Sequence, residues 1–148
     1  MLGLAYSSIQ ANSAEVFEDG FESGPLGTAW SLSYLNQGRV EVSLENGPAT
    51  VLAHLILDDS VSDAFYSAAE ATLTLNLANK KNVQLQFKVK SLGNEPHAPP
   101  PGNFTGVRTY DGVAISSDGG TTWRSVQSLA TVGTAWEAFS VNLDASVV

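Results

Sequence analysis

Aromatic side chains are the residues of this chain whose type best suits the binding of a ligand. A sugar is bound when an exposed aromatic ring stacks on its face while amides and carboxylates fix its hydroxyl groups. The candidates for such a contact are Trp30, Tyr34, Tyr110, Trp123 and Trp136. Trp136 alternates with Phe139, Val141 and Leu143, so we expect it to be exposed if those three face a core. For any one tryptophan, packing in the core or in a hairpin is the competing interpretation.

The histidines give little support for catalysis. His54 lies in the most apolar stretch of the chain, which favours a core position. His97 stands beside Glu95 in a proline-rich segment and is a further candidate for contact with a ligand or metal, with a solvated loop histidine as the alternative. No spacing suggests a Ser-His-Asp triad. Fifteen acidic residues always allow some carboxylate pair, so a glycan-active enzyme stays as the third hypothesis.

Composition excludes several classes of partner. The 148 residues are enough for one domain with its own core, and the absence of cysteine excludes disulfides and thiolate metal sites. A formal net charge of −8 with seven Lys and Arg argues against nucleic acid and anionic membranes. No apolar run approaches the roughly 20 residues of a membrane helix. We therefore expect neither nucleic-acid binding nor membrane insertion.

Alternation of apolar and polar residues with a period of two predicts strands along most of the chain. The clearest are residues 70–77 and 83–89, whose leucine, valine and phenylalanine rows we expect to face the core. Residues 50–57 are apolar on both faces, as in a central strand. Residues 62–69 and the proline-rich residues 91–106 are predicted to be loops. Eight to ten strands at roughly ten-residue spacing predict an all-β protein, an antiparallel two-sheet β-sandwich.

Residues 110–123 are predicted to form a buried strand at Val113–Ile115, a tight turn and the start of a return strand. Gly119 and Gly120 suit the positive φ of such a turn. Residues 116–123, Ser-Ser-Asp-Gly-Gly-Thr-Thr-Trp, resemble the Asp-box at every defined position. That resemblance implies a hairpin of structural function in an extracellular type of all-β protein, with Trp123 as part of it.

A wider resemblance covers most of residues 16–148. It is carried by Phe17-Glu18-Asp19-Gly20-Phe21-Glu22-Ser23-Gly24, Trp30, Leu57-Asp58-Asp59, residues 111–115 and Val141-Asn142-Leu143-Asp144. These motifs are similar to those of MAM-like and related carbohydrate-binding jelly-roll modules of secreted bacterial proteins. The resemblance implies a jelly roll at an extracellular or cell-surface location.

The chain departs from that pattern at its end. Such modules continue into another core strand and a final Asp-Asp-hydrophobic strand, whereas this sequence stops at Val147-Val148. We therefore expect an open sheet edge, which favours self-association. Residues 1–14 are interpreted as an N-terminal extension to a domain of residues 15–148. The extension is either the remnant of a secretory signal or a donor strand, from this or a neighbouring subunit.

The resemblance also implies a structural calcium ion, for which Asp19 and Glu22 are the leading ligands. Calcium takes six to eight oxygen ligands, so further carboxylates must converge on it. Acidic residues near predicted strand ends are the candidates, and the first and last strands are expected to be neighbours. The full predicted set is Asp19, Glu22, Asp58, Asp111 and Asp144.

These observations together predict a non-catalytic extracellular module that binds a polysaccharide or a cell-surface protein. The alternative is a structural subunit of an extracellular filament, assembled by strand donation from the N-terminal segment. The ligand-binding candidates are Trp136, Trp30, Tyr34, Tyr110 and His97.

Overall fold

A computed structural model describes residues 2–11, 14–22, 24–45, 53–61, 67–93, 98–106 and 110–144. These residues form strands and loops without an α-helix, and every strand pairing is antiparallel. The predicted all-β antiparallel class is therefore confirmed. The strands in chain order are β1 (Leu2–Ala11), β2 (Ala14–Asp19), β3 (Trp30–Leu35), β4 (Gly38–Ser43), β5 (His54–Asp59), β6 (Ala68–Leu73), β7 (Gln84–Ser91), β8 (Asn103–Phe104), β9 (Gly112–Ile115), β10 (Trp123–Ser128) and β11 (Glu137–Asn142).

The largest sheet has six strands and is strongly curled. Its order is β11-β7-β1-β5-β4, and β2 pairs with β1 beside β5. One edge of β1 runs along β7, while its other edge pairs first with β5 at Leu2–Leu4 and then with β2 at Ser7–Ala11. Irregular register at residues 5–7 and 9–10 lets this strand bend between its neighbours.

The N-terminal segment therefore lies inside the sheet of its own chain. Leu2–Ala11 hydrogen-bond to β7, β5 and β2, so a strand is the conformation observed for this part of the predicted extension. Its use as a donor strand between chains, and the division at residue 14, stay predictions. The expected contact between first and last strands is wrong, because β11 borders β7 only among the described strands.

The remaining strands form two smaller sheets. One has the order β8-β10-β9, and the other contains β3 and β6. Both pack against the six-stranded sheet, since Val113, Ile115 and Leu73 contact its core cluster. The described strands thus make three hydrogen-bonded sheets, and the two-sheet jelly roll stays a prediction.

Two adjoining clusters form the core. The larger contains Phe87, Val89, Val141 and Leu143, with the leucines of residues 73–77 packed against it. The smaller contains Phe21, Val40, Ala53 and Leu55. The predicted inward rows of residues 71–77 and 83–89 are confirmed, because their apolar members contact these clusters. Each fully buried Phe or Leu side chain contributes about 1.5–3 kcal/mol of transfer free energy.

The structure corrects several local predictions. Ala14–Asp19 form a strand that was not predicted, and the predicted loop of residues 91–106 contains the short strand Asn103–Phe104. Ala68 and Ala69 belong to β6 rather than to a loop, and Val113–Ile115 are half-buried rather than buried. The predictions for residues 50–52 and 62–66 fall outside the described residues. Over the described ranges, no helix is long and apolar enough to cross a membrane.

Candidate functional site

The hairpin predicted at residues 110–123 is formed by β9 and β10, and the Asp-box is its turn. Asp118 accepts hydrogen bonds at 2.9 and 2.6 Å from the Thr122 backbone N–H and Oγ1, and one at 2.7 Å from Ser116 Oγ. Gly119 and Gly120 have φ of 72° and 86°, where other residues are strained. The bonds from Thr122 and then Ser116 lower the pKa of Asp118 to about 2. The turn's polar groups therefore satisfy one another and fix where β10 begins.

Fixing that start places Trp123 on the outer side of the three-stranded sheet. Val113 and Ile115 pack against the core, so Ala114 between them points away from it. Ala114 is paired with Ser125, which shares its side of β10 with Trp123. Phe104 is paired directly with Trp123, and their rings are nearly parallel at 13° with centroids 6.5 Å apart.

Tyr110 completes this group. Its ring meets Phe104 edge to face with centroids 4.9 Å apart, a favourable aromatic geometry. We call Phe104, Tyr110 and Trp123 the aromatic patch. All three residues are half-buried and line a common space.

The aromatic patch forms one side of a cleft of about 130 Å³. Residues 69–72 of β6 and Gly112 and Ala114 of β9 are its two walls, and Leu57 of β5 also lines it. We call this space the edge cleft. Burial and then the charge of Glu70 raise the pKa of Tyr110 to about 12, so its hydroxyl stays protonated at neutral pH and can donate.

Residues 98–102 of the proline-rich segment lie along the same sheet. The Asp111 N–H donates to the Ala98 carbonyl at 2.9 Å, and the Ser125 N–H donates to the Gly102 carbonyl at 2.9 Å. A Cβ on Gly112 would stand 2.7 Å from Pro100 Cγ, so this close approach requires glycine. These contacts hold β9 and Tyr110 in place beside the cleft.

The other predicted aromatic residues lie elsewhere. The Trp136 ring meets the His54 ring edge to face at 5.7 Å, and Lys90 Nζ lies 4.9 Å from its centre, so it is half-buried rather than fully exposed. Trp30 packs against Phe17 and Phe21. Tyr34 on β3 is 48% exposed and does not line the edge cleft.

His54 is in the core as expected, at 1% exposure. Its Nδ1 has no hydrogen-bond partner within the described part of the chain. Burial, and then the charge of Lys90, lower its pKa below the usual histidine range. His97, the other histidine, lies outside the described residues.

The five predicted calcium ligands are spread over the fold, and four of them accept hydrogen bonds from backbone or side-chain donors. Asp19 accepts from Phe21 N–H at 2.7 Å and Trp30 Nε1–H at 2.8 Å, and Glu22 accepts from Ala53 N–H at 3.1 Å. The Asp58 side chain is fully buried and pairs with Arg39. Asp144 accepts from Val83 N–H at 2.8 Å, while Asp111 is half-buried beside β9.

Among the described residues, no three acidic or histidine side chains form a group that could hold a metal ion. The structural calcium ion therefore stays a prediction.

Comparisons with known proteins add no assignment. No family model matches the chain, and neither the curated proteins nor the solved structures gave a match. The resemblance to MAM-like and carbohydrate-binding jelly-roll modules thus stays a prediction, and the site has to be interpreted from its own geometry.

Of the predicted ligand-binding residues that the structure describes, Tyr110 alone lines the edge cleft. Phe104, Glu70 and Thr72 line it as well and were not predicted. Trp123 was considered a candidate but assigned to the hairpin. In the structure it begins β10 of that hairpin and also lines the edge cleft. No local pattern in the sequence indicates a role for Phe104, because it reaches the cleft by pairing with Trp123, 19 positions away, from a two-residue strand.

Proposed function

We propose that this chain is a non-catalytic extracellular module of the jelly-roll type that binds a polysaccharide through the aromatic patch. The observation that carries the proposal is the shared position of Phe104, Tyr110 and Trp123 on the side of their sheet that faces away from the core. Aromatic rings with open faces are the main contact surface for sugar rings.

Polar groups next to the patch suit the same ligand. Thr72 and Glu70 line the same cleft as the aromatic rings, and the Tyr110 hydroxyl is a donor at neutral pH. A few convergent polar groups beside apolar surface give a sugar its orientation.

The cleft supports binding rather than hydrolysis. Glu70 is the only carboxylate among its described lining residues, whereas most glycoside hydrolases use a pair of carboxylates. Its volume of about 130 Å³ suits part of one sugar unit, with the rest of a polymer lying over the surface.

The test is binding of the purified protein to plant, algal and bacterial polysaccharides, followed by titration of the best ligand. Tyr110→Ala should weaken binding by about ten-fold or more, since 1.4 kcal/mol corresponds to ten-fold. Tyr34→Ala is the matched control, because Tyr34 is exposed on β3 away from the cleft. Absence of binding to every polysaccharide, or an equal loss of affinity in the two variants, would contradict the proposal.

Filament assembly is the second candidate function. It is favoured by one edge of β6 and one edge of β9, which have no hydrogen-bonded neighbour among the described strands and can template pairing with another chain. Donation of Leu2–Ala11 would require this strand to leave β7, β5 and β2 of its own sheet. Sedimentation separates the two functions, because a clean monomer is incompatible with assembly at the concentration used.

The calcium prediction is tested independently of polysaccharide binding and filament assembly. If Asp19 and Glu22 held an ion, EDTA would lower the melting temperature. An unchanged melting temperature would contradict a structural calcium ion at Asp19 and Glu22.

A further inference from the structure

One residue of β2 interrupts the pairing of this strand with β1. The register between the two strands skips Val16, which makes Val16 the extra residue of a β-bulge. Val16 and its neighbour Phe17 both pack against the larger core cluster. Residues three apart on a regular strand point to opposite sides, but the extra residue returns Glu15 and Glu18 to the same side. The bulge therefore brings two carboxylates together on one face of the sheet.

That face of the sheet is directed away from the core. The register partners on β1 are Ser8 for Glu18 and Gln10 for Glu15. Ile9, which separates these partners, is buried in the core cluster, so Ser8 and Gln10 point to the opposite side. The two glutamates thus stand two strand positions apart, about 7 Å, and both are exposed to solvent.

The two carboxyl groups are in contact with each other. Desolvation, then the charge of Glu18 and a hydrogen bond between the two side chains, raise the pKa of Glu15 above the usual glutamate range. Among the described residues, no Lys or Arg side chain forms an ion pair with either carboxylate. Two carboxylates at one place resist being ionised together unless a cation lies between them. The pair therefore presents negative charge that a metal ion can neutralise.

A buried hydroxyl beside the pair lacks a partner. Ser8 is 0% exposed, and its Oγ has no hydrogen-bond partner within the described part of the chain. Directly paired residues of antiparallel strands have their Cβ atoms about 5 Å apart on one side of the sheet, so Ser8 is directed to the side of Glu18. Leaving a buried hydroxyl unsatisfied is unfavourable. An ion held by the glutamates would use this oxygen as a ligand and offset that loss.

The donors at this place suit calcium. Calcium binds six to eight oxygen atoms from carboxylates, neutral carbonyls and water in a flexible geometry, whereas magnesium requires a strict octahedron. Glu15 and Glu18 supply the negative charge, while Ser8 Oγ and the amide oxygen of Gln10 are neutral donors on the adjacent strand. A set made only of oxygen donors favours calcium over zinc or copper.

We propose that Glu15 and Glu18 form a calcium site on the outer side of the β1–β2 pair, with Ser8 and Gln10 as neutral ligands. Because two carboxylates supply little charge, the dissociation constant should be about 10⁻⁴–10⁻³ M, as in extracellular modules. None of these four residues is among the predicted calcium ligands, and none lines the edge cleft. The inference therefore goes beyond the proposed function and does not depend on it.

The first test is calorimetric titration of the metal-free protein with calcium chloride. Glu15→Gln and Glu18→Gln should each weaken calcium binding by about ten-fold or more, because each removes one of the two charged ligands. Glu45→Gln is the matched control, since Glu45 is an exposed glutamate outside β2. Unchanged affinity in both β2 variants, or no binding to the wild type up to about 10 mM calcium, would overturn the proposal.

Thermal unfolding gives an independent measurement, because Glu15→Gln should act in opposite directions with and without calcium. In EDTA the variant lacks the repulsion between the carboxylates, so its melting temperature should equal or exceed that of the wild type. With calcium at about ten times the dissociation constant, the wild type should gain about 2–4 °C and the variant should gain little. An equal loss of stability in both conditions would overturn the site and assign Glu15 a structural role.

Ser8→Ala tests the buried hydroxyl, with Ser7→Ala as the matched control. The Oγ of Ser7 is also buried without a partner, but Ser7 is paired with Phe87 of the core and points to the opposite side. In EDTA neither variant should be less stable than the wild type, because each removes an unsatisfied oxygen. Ser8→Ala alone should weaken calcium binding, by about three-fold or more. Equal calcium affinities of the two variants would overturn the assignment of Ser8 as a ligand.

Glu22→Gln distinguishes this site from the calcium ion predicted at Asp19 and Glu22. The Glu22 carboxylate accepts a hydrogen bond from the Ala53 N–H and lies outside β2, so its substitution should leave the affinity of the Glu15 site unchanged. Loss of calcium binding in Glu22→Gln, with full binding retained in Glu15→Gln, would overturn the proposal in favour of the predicted site.

Discussion

In the six-stranded sheet the central strand β1 has hydrogen-bonded neighbours along both edges, whereas among the described strands β6 and β9 of the smaller sheets each have a neighbour along one edge. The first sheet supplies most of the buried residues of the larger core cluster, including Phe87, Val89 and Val141. The smaller sheets supply mostly half-buried residues and the edge cleft. Stability is therefore expected to reside in one part of the molecule and binding in the other.

The largest expected difference between the two parts is the loss of stability when a phenylalanine in each is replaced by alanine. Phe87 is 3% exposed and stacks on Phe139 at 5.3 Å, so Phe87→Ala should cost about 3–5 kcal/mol in the free energy of unfolding. Phe104 is half-buried on a two-residue strand, and Phe104→Ala should cost less than half as much. Urea unfolding measures both, and equal losses would break the comparison.

This division was only partly visible in the sequence. The rows of residues 71–77 and 83–89 were predictable because a period of two survives in the chain itself. Sheet order was not, since β1 joins β7 across some 80 intervening residues and no local pattern encodes that pairing. The strand of residues 14–19 was missed because acidic residues interrupt its alternation.

The candidate site shows the same limit. Tyr110 and the Asp-box hairpin were predicted from adjacent residues, but Glu70 and Phe104 reach the cleft only through contacts distant in sequence. The aromatic candidates Trp30 and Trp136 have the right residue type but pack against other rings. Residue type alone therefore could not separate stacking within the fold from stacking on a ligand.

The second prediction concerns a charge pair at the edge of the six-stranded sheet. Arg39 donates from Nε to Asp58 Oδ1 at 2.8 Å and from Nη2 to Oδ2, while the Asp58 side chain is fully buried. Arg39→Met should leave that carboxylate unpaired and cost about 1–3 kcal/mol, reduced by the partial exposure of the arginine. Lys81→Met is the control, because Lys81 is exposed in the segment before β7, with an expected change within about 0.5 kcal/mol. Similar melting temperatures for both variants would count against the pair.

A smaller effect is expected from His54. Its pKa is lowered in the folded protein by burial and by Lys90, so the unfolded chain binds the proton more readily. Stability should therefore fall as the pH drops below the ordinary histidine pKa of about 6.5, until the folded protein is protonated as well. His54→Gln should remove this part of the pH dependence in urea titrations, whereas His97→Gln should keep it. The same slope in wild type and His54→Gln would show that the buried ring is not its source.

The smallest effect on stability is expected from Asp118 in the Asp-box of the three-stranded sheet. Folding favours the charged form of Asp118, whereas it disfavours the charged form of His54. The pKa of Asp118 is lowered to about 2 by hydrogen bonds from Thr122 and Ser116, so the folded protein favours the ionised form. Its contribution is fully present above the unfolded carboxyl pKa of about 4 and disappears as the pH falls through about 2.

Asp118→Asn keeps the shape of the side chain and removes the charge. Its urea midpoint should lie slightly below that of the wild type at pH 7, and the two should converge as the pH approaches 2. Because Asp118 is exposed, we expect this difference to be smaller than that for Arg39→Met. A gap that stayed constant down to the lowest pH would assign the effect to the amide substitution itself rather than to the charge. Convergence would show that the ionised Asp118 carboxylate, through its bonds to Thr122 and Ser116, stabilises the hairpin that holds Trp123 beside the edge cleft.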